Sequence, residues 1–483
     1  MHLQLSGLRS VPPRGGAMRL CLALALVACH GSAAPPSPTA EPGTAHATTA
    51  PPTAPPSGSS PSGAAPASGA IAPAPATASA GAAASAAVSA ATGAASASPA
   101  AAALEGADFI DDAKLLYRVA ACGSPDTPLP SALSGSDAAL AAKLDKIVAL
   151  HCKVISSKLA EFRTTYFDKG RSWFDSVVPR DLPKTVIYPF GGGDLLSALV
   201  AFPDATEVTT ISLELAGDPR RLRTLAPAAL ERSLGALRID IGGLISVGSN
   251  TSENLSNQQR NDLPGQVSSF LLGLVAGGYE PIAMRYFTLD DTGAVHYLAQ
   301  SEIDELDRAA QKTRPRSLKH DWQSPNFSQA FANVEIRYQK PGESEVRVHR
   351  HIGWNLGDPY LGKHPELIRH LEKKGMVTVL VKGGSYLLYR GDFSVIRGYL
   401  LDHLAWMLSD STGIPPTYAR PAGMIQETYG HYTGAFLEGA QDNRHDESFI
   451  ELWRSQKVRR LPFRFGYVDK DKQAHLVVTR PKK

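Results

Sequence analysis

The chain has 483 residues, with 49 Lys and Arg against 46 Asp and Glu. Arg9, Arg14, Arg19 and Glu41 are the charged residues of the first 104, which leaves 46 basic and 45 acidic side chains in residues 105–483. So even a balance offers no positive excess for a nucleic-acid partner, and Cys122 and Cys152 stand in no zinc-binding spacing.

The first element in chain order is a short apolar run, Leu20–Val27, preceded by Arg19 and followed by small residues. This is the pattern of an export signal. Eight residues span only about 12 Å as helix, whereas a membrane-crossing helix needs roughly 20 residues. Leu26-Val27-Ala28-Cys29 resembles the lipobox of bacterial lipoproteins. The resemblance implies a signal peptide over 1–28 and an acylated N-terminus at Cys29, hence a membrane as partner. His30, where an Asp would hold the protein back, implies sorting to the outer membrane. The competing reading is an ordinary cleaved signal with a Cys at its end by chance. Met18, just before Arg19, is a second candidate start.

Residues 29–104 are almost entirely Ala, Pro, Ser, Thr and Gly. Such a segment buries too little apolar surface to offset its chain entropy, so a disordered tether is expected. About 75 residues of flexible coil span roughly 45–50 Å.

Residues 105–483 carry the patterns of a folded domain. Residues 107–180 read as helical, most clearly where Leu140, Leu144, Ile147 and Val148 form a stripe at helical spacing. Cys122 and Cys152 form an even pair in an exported chain and read as a disulfide, with two buried thiols as the alternative. Thr185–Phe190 is a β-rich run broken by Gly191, Gly192 and Gly193, and Asp194 is placed to cap a helix over 195–202. A second strand, 207–215, completes a βαβ unit, whose crossover makes the two strands parallel. A helix at 268–276 and a strand at 281–289 follow. The polar, Pro-punctuated stretch 311–327 is a candidate internal boundary. Val334–Tyr338 and Glu345–Ile352 flank Lys340-Pro341-Gly342-Glu343 as a hairpin. Then come a helix at 365–374, a strand at 376–382, and a helix capped by Asp392 or Ser394 running to about Leu408. The expected class is α/β: a mixed sheet with parallel βαβ units, at least one antiparallel hairpin and flanking helices.

Several segments are similar to an uncharacterised family of bacterial exported proteins. They are Val186–Asp194, Gly384–Leu388 with Phe393–Arg397, Asp410–Pro415, Tyr429–Tyr432 and Leu461–Tyr467. The resemblance spans residues 185–470, implies one coherent domain and transfers no site.

The strongest constellation is Gly191, Gly192, Gly193 and Asp194, with Glu214 beyond the next strand. A Gly-rich turn feeding a helix N-terminus presents backbone N–H groups to a ligand. Glu214 stands where a dinucleotide or S-adenosylmethionine fold places its hydroxyl-binding acid. Asp194 sets a negative charge where a phosphate would sit, which suits a hydroxyl-rich or cationic ligand better. The plainer reading outweighs it: a turn that needs Gly for close packing and Asp as cap. His349 and His351 share one strand face beside Arg347, a possible start for a metal site with His320, Asp321 or Glu335 as third ligand. Exposed strand histidines are the commoner case, and no metal site is assigned. Asp410-Ser411-Thr412-Gly413 reads as a helix C-terminal turn. The aromatics of 429–434 and 461–467 read as core first and as a platform for sugar or peptide faces second.

No GxSxG, HExxH, Walker A or SxxK set is present. The chain is therefore expected to be an envelope lipoprotein serving as a binding or assembly module. The alternative is a tethered hydrolase or transferase with its site at Gly191–Asp194 and Glu214. The sequence points to no cofactor.

Overall fold

The computed structural model describes residues 105–124, 129, 133–246, 263–312, 328–436 and 443–482. The signal, Cys29, the tether, most of the 311–327 boundary, His320 and Asp321 lie outside the described residues. Among the described residues, no helix is long and apolar enough to cross a membrane.

Ten strands form one sheet. They are β1 (Thr185–Pro189), β2 (Glu207–Ser212), β3 (Glu280–Leu289), β4 (Val295–Tyr297), β5 (Asn333–Gln339), β6 (Arg347–Gly353), β7 (Val377–Val381), β8 (Leu404–Ser409), β9 (Met424–Gly430) and β10 (His475–Pro481). Their spatial order is β4-β3-β5-β6-β2-β1-β7-β8-β10-β9. The central five, β6-β2-β1-β7-β8, are parallel. β5 and β3 continue one side antiparallel, and β10 runs antiparallel between β8 and β9 on the other. The fold is therefore α/β with a mixed sheet, parallel βαβ units and the antiparallel β5–β6 hairpin, the class read from the sequence.

The parallel strands are apolar on both faces because helices cover both. Val186 and Tyr188 of β1 enter one core, and Ile187 enters the other. The first layer holds α1 (Ile110–Val119), α2 (Ala138–Phe162), α3 (Asp168–Val177), α4 (Leu195–Ala201), α5 (Pro227–Ser246) and α6 (Gly265–Gly277). The second holds α7 (Glu366–Glu372) and α8 (Ser394–His403). A disulfide joins Cys122, just past α1, to Cys152 in α2, with Cα atoms 5.3 Å apart. Between α2 and α3 the helix widens into a π-turn, Arg163–Phe167. The hydroxyls of Thr164 and Thr165 donate to the Glu161 carbonyl there (3.0 and 2.8 Å) and offer the backbone an alternative to α-helical bonding.

Two sequence readings are corrected. The helix expected to reach Leu408 ends at His403, and Leu404–Ser409 is β8, paired parallel with β7. Neither Asp392 nor Ser394 caps that helix. Asp358 does, accepting from the Ser394 and Val395 amides (2.9 and 3.0 Å), while Asp392 pairs with Arg390.

Candidate functional site

From β1 the chain builds outward through β2 and β6, then crosses to β7 on the other side. The order reverses between β1 and β7. In such sheets ligands bind outside the carboxyl ends of the strands at this switch point. The segments that leave these ends are Phe190–Asp194 after β1, Lys382–Tyr386 after β7 and Asp410–Gly413 after β8.

Asp194 begins α4 as expected. Its Oδ1 accepts from the Ser197 amide at 3.0 Å. Its Oδ2 accepts from the Tyr188 hydroxyl (3.1 Å) and from Lys382 Nζ (2.7 Å). Lys382 also donates to Ser197 Oγ at 2.7 Å. The Asp194 and Lys382 side chains are only 10% and 11% exposed. Burial alone lowers the Lys382 pKa, but Asp194 and then Tyr166 outweigh it, and the net shift is upward. The lysine is therefore a fixed cation. Tyr188 is raised well above its ordinary range by burial first and Asp194 second. Tyr166, carried in by the π-turn, is raised by burial, with Lys382 opposing. The cluster thus holds one ion pair and two neutral phenols, and none of the three shifted groups changes protonation near neutral pH.

The turn itself is filled by the protein. A Cβ on Gly193 would overlap Gln266 Oε1 of α6 and lie 2.9 Å from Ser269 Cβ. Gly192 has φ +49°, a conformation that favours glycine, and a Cβ there would stand 3.8 Å from Glu214 Oε1. Glu214 is buried, and its carbonyl accepts from His351 Nε2 at 2.7 Å. The five residues singled out in the sequence therefore come together beneath α6. Gly191 and Gly193 serve close packing, Gly192 serves the left-handed turn, and Asp194 is cap and counter-ion. Lys382, 188 positions beyond Asp194, left no sequence signal of its pairing.

The histidine pair is buried, which corrects the exposed reading. Thr210 Oγ1 lies 3.0 Å from both His349 Nε2 and His351 Nδ1, and Phe270 of α6 packs on both rings. Glu335, opposite Arg350 in register, lies on the other sheet face and pairs with Arg337 and Arg350. It cannot serve as the third ligand. Among the described residues no cluster of three or more His, Cys, Asp or Glu is arranged to hold a metal.

Asp410 is not in a helix-terminal turn but follows β8. Its carboxylate accepts from the amides of Gly383, Tyr467 and Thr412, each at 2.9 Å, and ties together three loops. Ser411 N–H donates to His475 Nε2 at 2.9 Å. Tyr432, Phe463, Phe465 and Tyr467 are buried, as core.

Along these loops lie the half-buried Phe190 and Phe393 and, next to the buried Tyr467, the exposed Phe436. Phe393 and Phe190 meet edge to face (centroids 5.9 Å apart). Phe190 Cδ2 lies 3.4 Å from the Cβ position of Gly384, and Tyr467 Cζ lies 3.7 Å from that of Gly383. Tyr467 then meets Phe436, which is 38% exposed, at 6.1 Å. Phe190, Ser385 and Tyr386 all hold positive φ (61°, 50° and 57°). Each such conformation costs on the order of 1–3 kcal/mol for a residue with a side chain, and they cluster here, at the strand ends. In comparisons with protein-family models, with curated proteins and with solved structures, no match to this chain was found.

Proposed function

We propose that this chain is a lipid-anchored binding module of the bacterial cell envelope. Acylated Cys29 holds it to the outer membrane, residues 29–104 are its tether, and the α/β domain is the part that binds. The seat is the rim Phe393–Phe190–Gly384–Gly383–Tyr467–Phe436, and its ligand presents a sugar or peptide face to the aromatics.

The observation that carries this reading is the packing of the Gly191–Asp194 turn. At the turn where an enzyme of this fold would seat its ligand, Gln266 packs against Gly193, and the charge of Asp194 is matched by Lys382. The half-buried Phe190 and Phe393 beside Gly384, and the exposed Phe436 beside Tyr467, are the feature of the same strand ends that supports this seat. Strain at Phe190, Ser385 and Tyr386 supports the same place, because such conformations persist where a loop is held for a task.

Two measurements test it. Labelled palmitate should enter the wild-type chain in bacteria and not C29S, and C29S should leave the membrane fraction. A thermal-shift panel of glycan fragments, peptides, metals and nucleotides should yield stabilisation by a glycan or peptide that Phe190→Ala removes. Stabilisation by nucleotides instead would favour the enzyme.

A further inference from the structure

A cleft of about 280 Å³ opens at the opposite edge of the sheet, at the amino ends of β1, β2 and β7. Its floor is apolar: Phe174, Val186, Ala201, Phe202 and Ala205 line it, and all are buried. Arg171, Asp175, Arg180, Lys184 and Asp204 supply the charges at its walls.

Four backbone acceptors around the cleft already have donors. Arg171 Nη1 donates to the Leu199 carbonyl (3.2 Å), Thr378 Oγ1 to that of Pro183 (2.8 Å), and the Ala205 amide to that of Phe202 (3.1 Å). Arg347 takes the Pro203 carbonyl. The Arg171 bond takes a carbonyl in the last turn of α4, the end of a helix that favours cations. Arg171 also pairs with Asp175 at 3.5 Å. The cations left over are Arg180 and Lys184, both exposed and in no ion pair among the described residues. Outside the Arg171–Asp175 pair, Asp204 is the one carboxylate that lines the cleft.

An apolar floor with a surplus of cationic donors at its mouth matches one ligand chemistry. We propose that this cleft binds a small amphipathic anion, its carboxylate at Arg180 and Lys184 and its hydrocarbon part on Phe174 and Phe202. Its volume lies just below the roughly 300 Å³ lower end of ligand pockets, so the hydrocarbon is short. The site is separate from the aromatic rim and does not depend on it.

Titration calorimetry of the full chain with octanoate, octanol and octylammonium, each below its micelle range, tests this directly. Octanoate should bind at least about tenfold tighter than the other two, a difference of about 1.4 kcal/mol. Arg180→Glu combined with Lys184→Glu should weaken octanoate at least about tenfold, and Phe190→Ala should leave it unchanged. Val178→Trp, which fills the cleft without altering charge, should also abolish binding. The proposal is overturned if octanoate does not bind, if octanol or octylammonium binds as well, or if octanoate still binds the charge-reversed chain or Val178→Trp.

Discussion

At the residue scale the molecule turns on Asp194. Its carboxylate caps α4, accepts from Tyr188 and holds Lys382 charged in the interior. Removing one partner of a buried pair strands the other, at about 3–5 kcal/mol, whereas replacing both is far milder. Lys382→Met should therefore lower unfolding free energy by about 3–5 kcal/mol in urea, and Asp194→Asn added to it should restore much of the loss. A single-variant cost below about 1 kcal/mol would show that the pair is solvated. The capping role of Asp194 was legible because a cap is local, an Asp just before an apolar run. Its partner was not, because parallel pairing of β1 and β7 brings together residues that chain distance keeps unrelated.

The buried histidines set a pH dependence. Burial lowers His351 and His370 to about 4 and His349 well below its ordinary range, with neighbouring His351 adding to the last. In the unfolded chain each titrates near about 6.5. Below that value the unfolded state binds more protons than the folded one, so stability is full above it and falls as pH drops toward 4. Each histidine should contribute a slope of up to about 1.4 kcal/mol per pH unit in that window. Urea midpoints should fall from about pH 7 to about pH 5, less steeply in His351→Gln; a midpoint that stays level would contradict the burial of the pair.

At the element scale, the elements with punctuation were readable. Gly191–Gly193 ended β1, Asp194 opened α4, and Lys340–Glu343 turned the hairpin. Leu404–Ser409 was not, because it follows α8 without a breaker and is apolar from Leu404 to Leu408. A short buried run of that kind has no period that separates strand from helix; β7 and β10 on either side decide it. The histidines were misplaced for a similar reason. Alternation puts His349 and His351 on one face, but only α6 lying against that face makes it interior. The Cys122–Cys152 bridge closes a separation of 30 residues, worth about 3–4 kcal/mol in the chain-entropy view. It ties α1 to α2 over the layer that also carries Tyr166 toward Lys382.

At the scale of the whole molecule, the sheet presents two edges with different chemistry. Its carboxyl edge is packed beneath α6 and ringed by aromatics, and its amino edge opens into a small cationic cleft. The central claim is that the Gly191–Asp194 turn is structural and that binding at this edge belongs to the rim. The most direct measurement compares ligand-induced thermal shifts in the wild type, Asp194→Asn and Phe190→Ala, using whichever glycan or peptide stabilises the wild type. Asp194→Asn should melt lower yet show the full ligand shift, while Phe190→Ala, which gives up its packing on Phe393, should lose the shift. Loss of the shift in Asp194→Asn with retention in Phe190→Ala would place the ligand in the turn and contradict the claim.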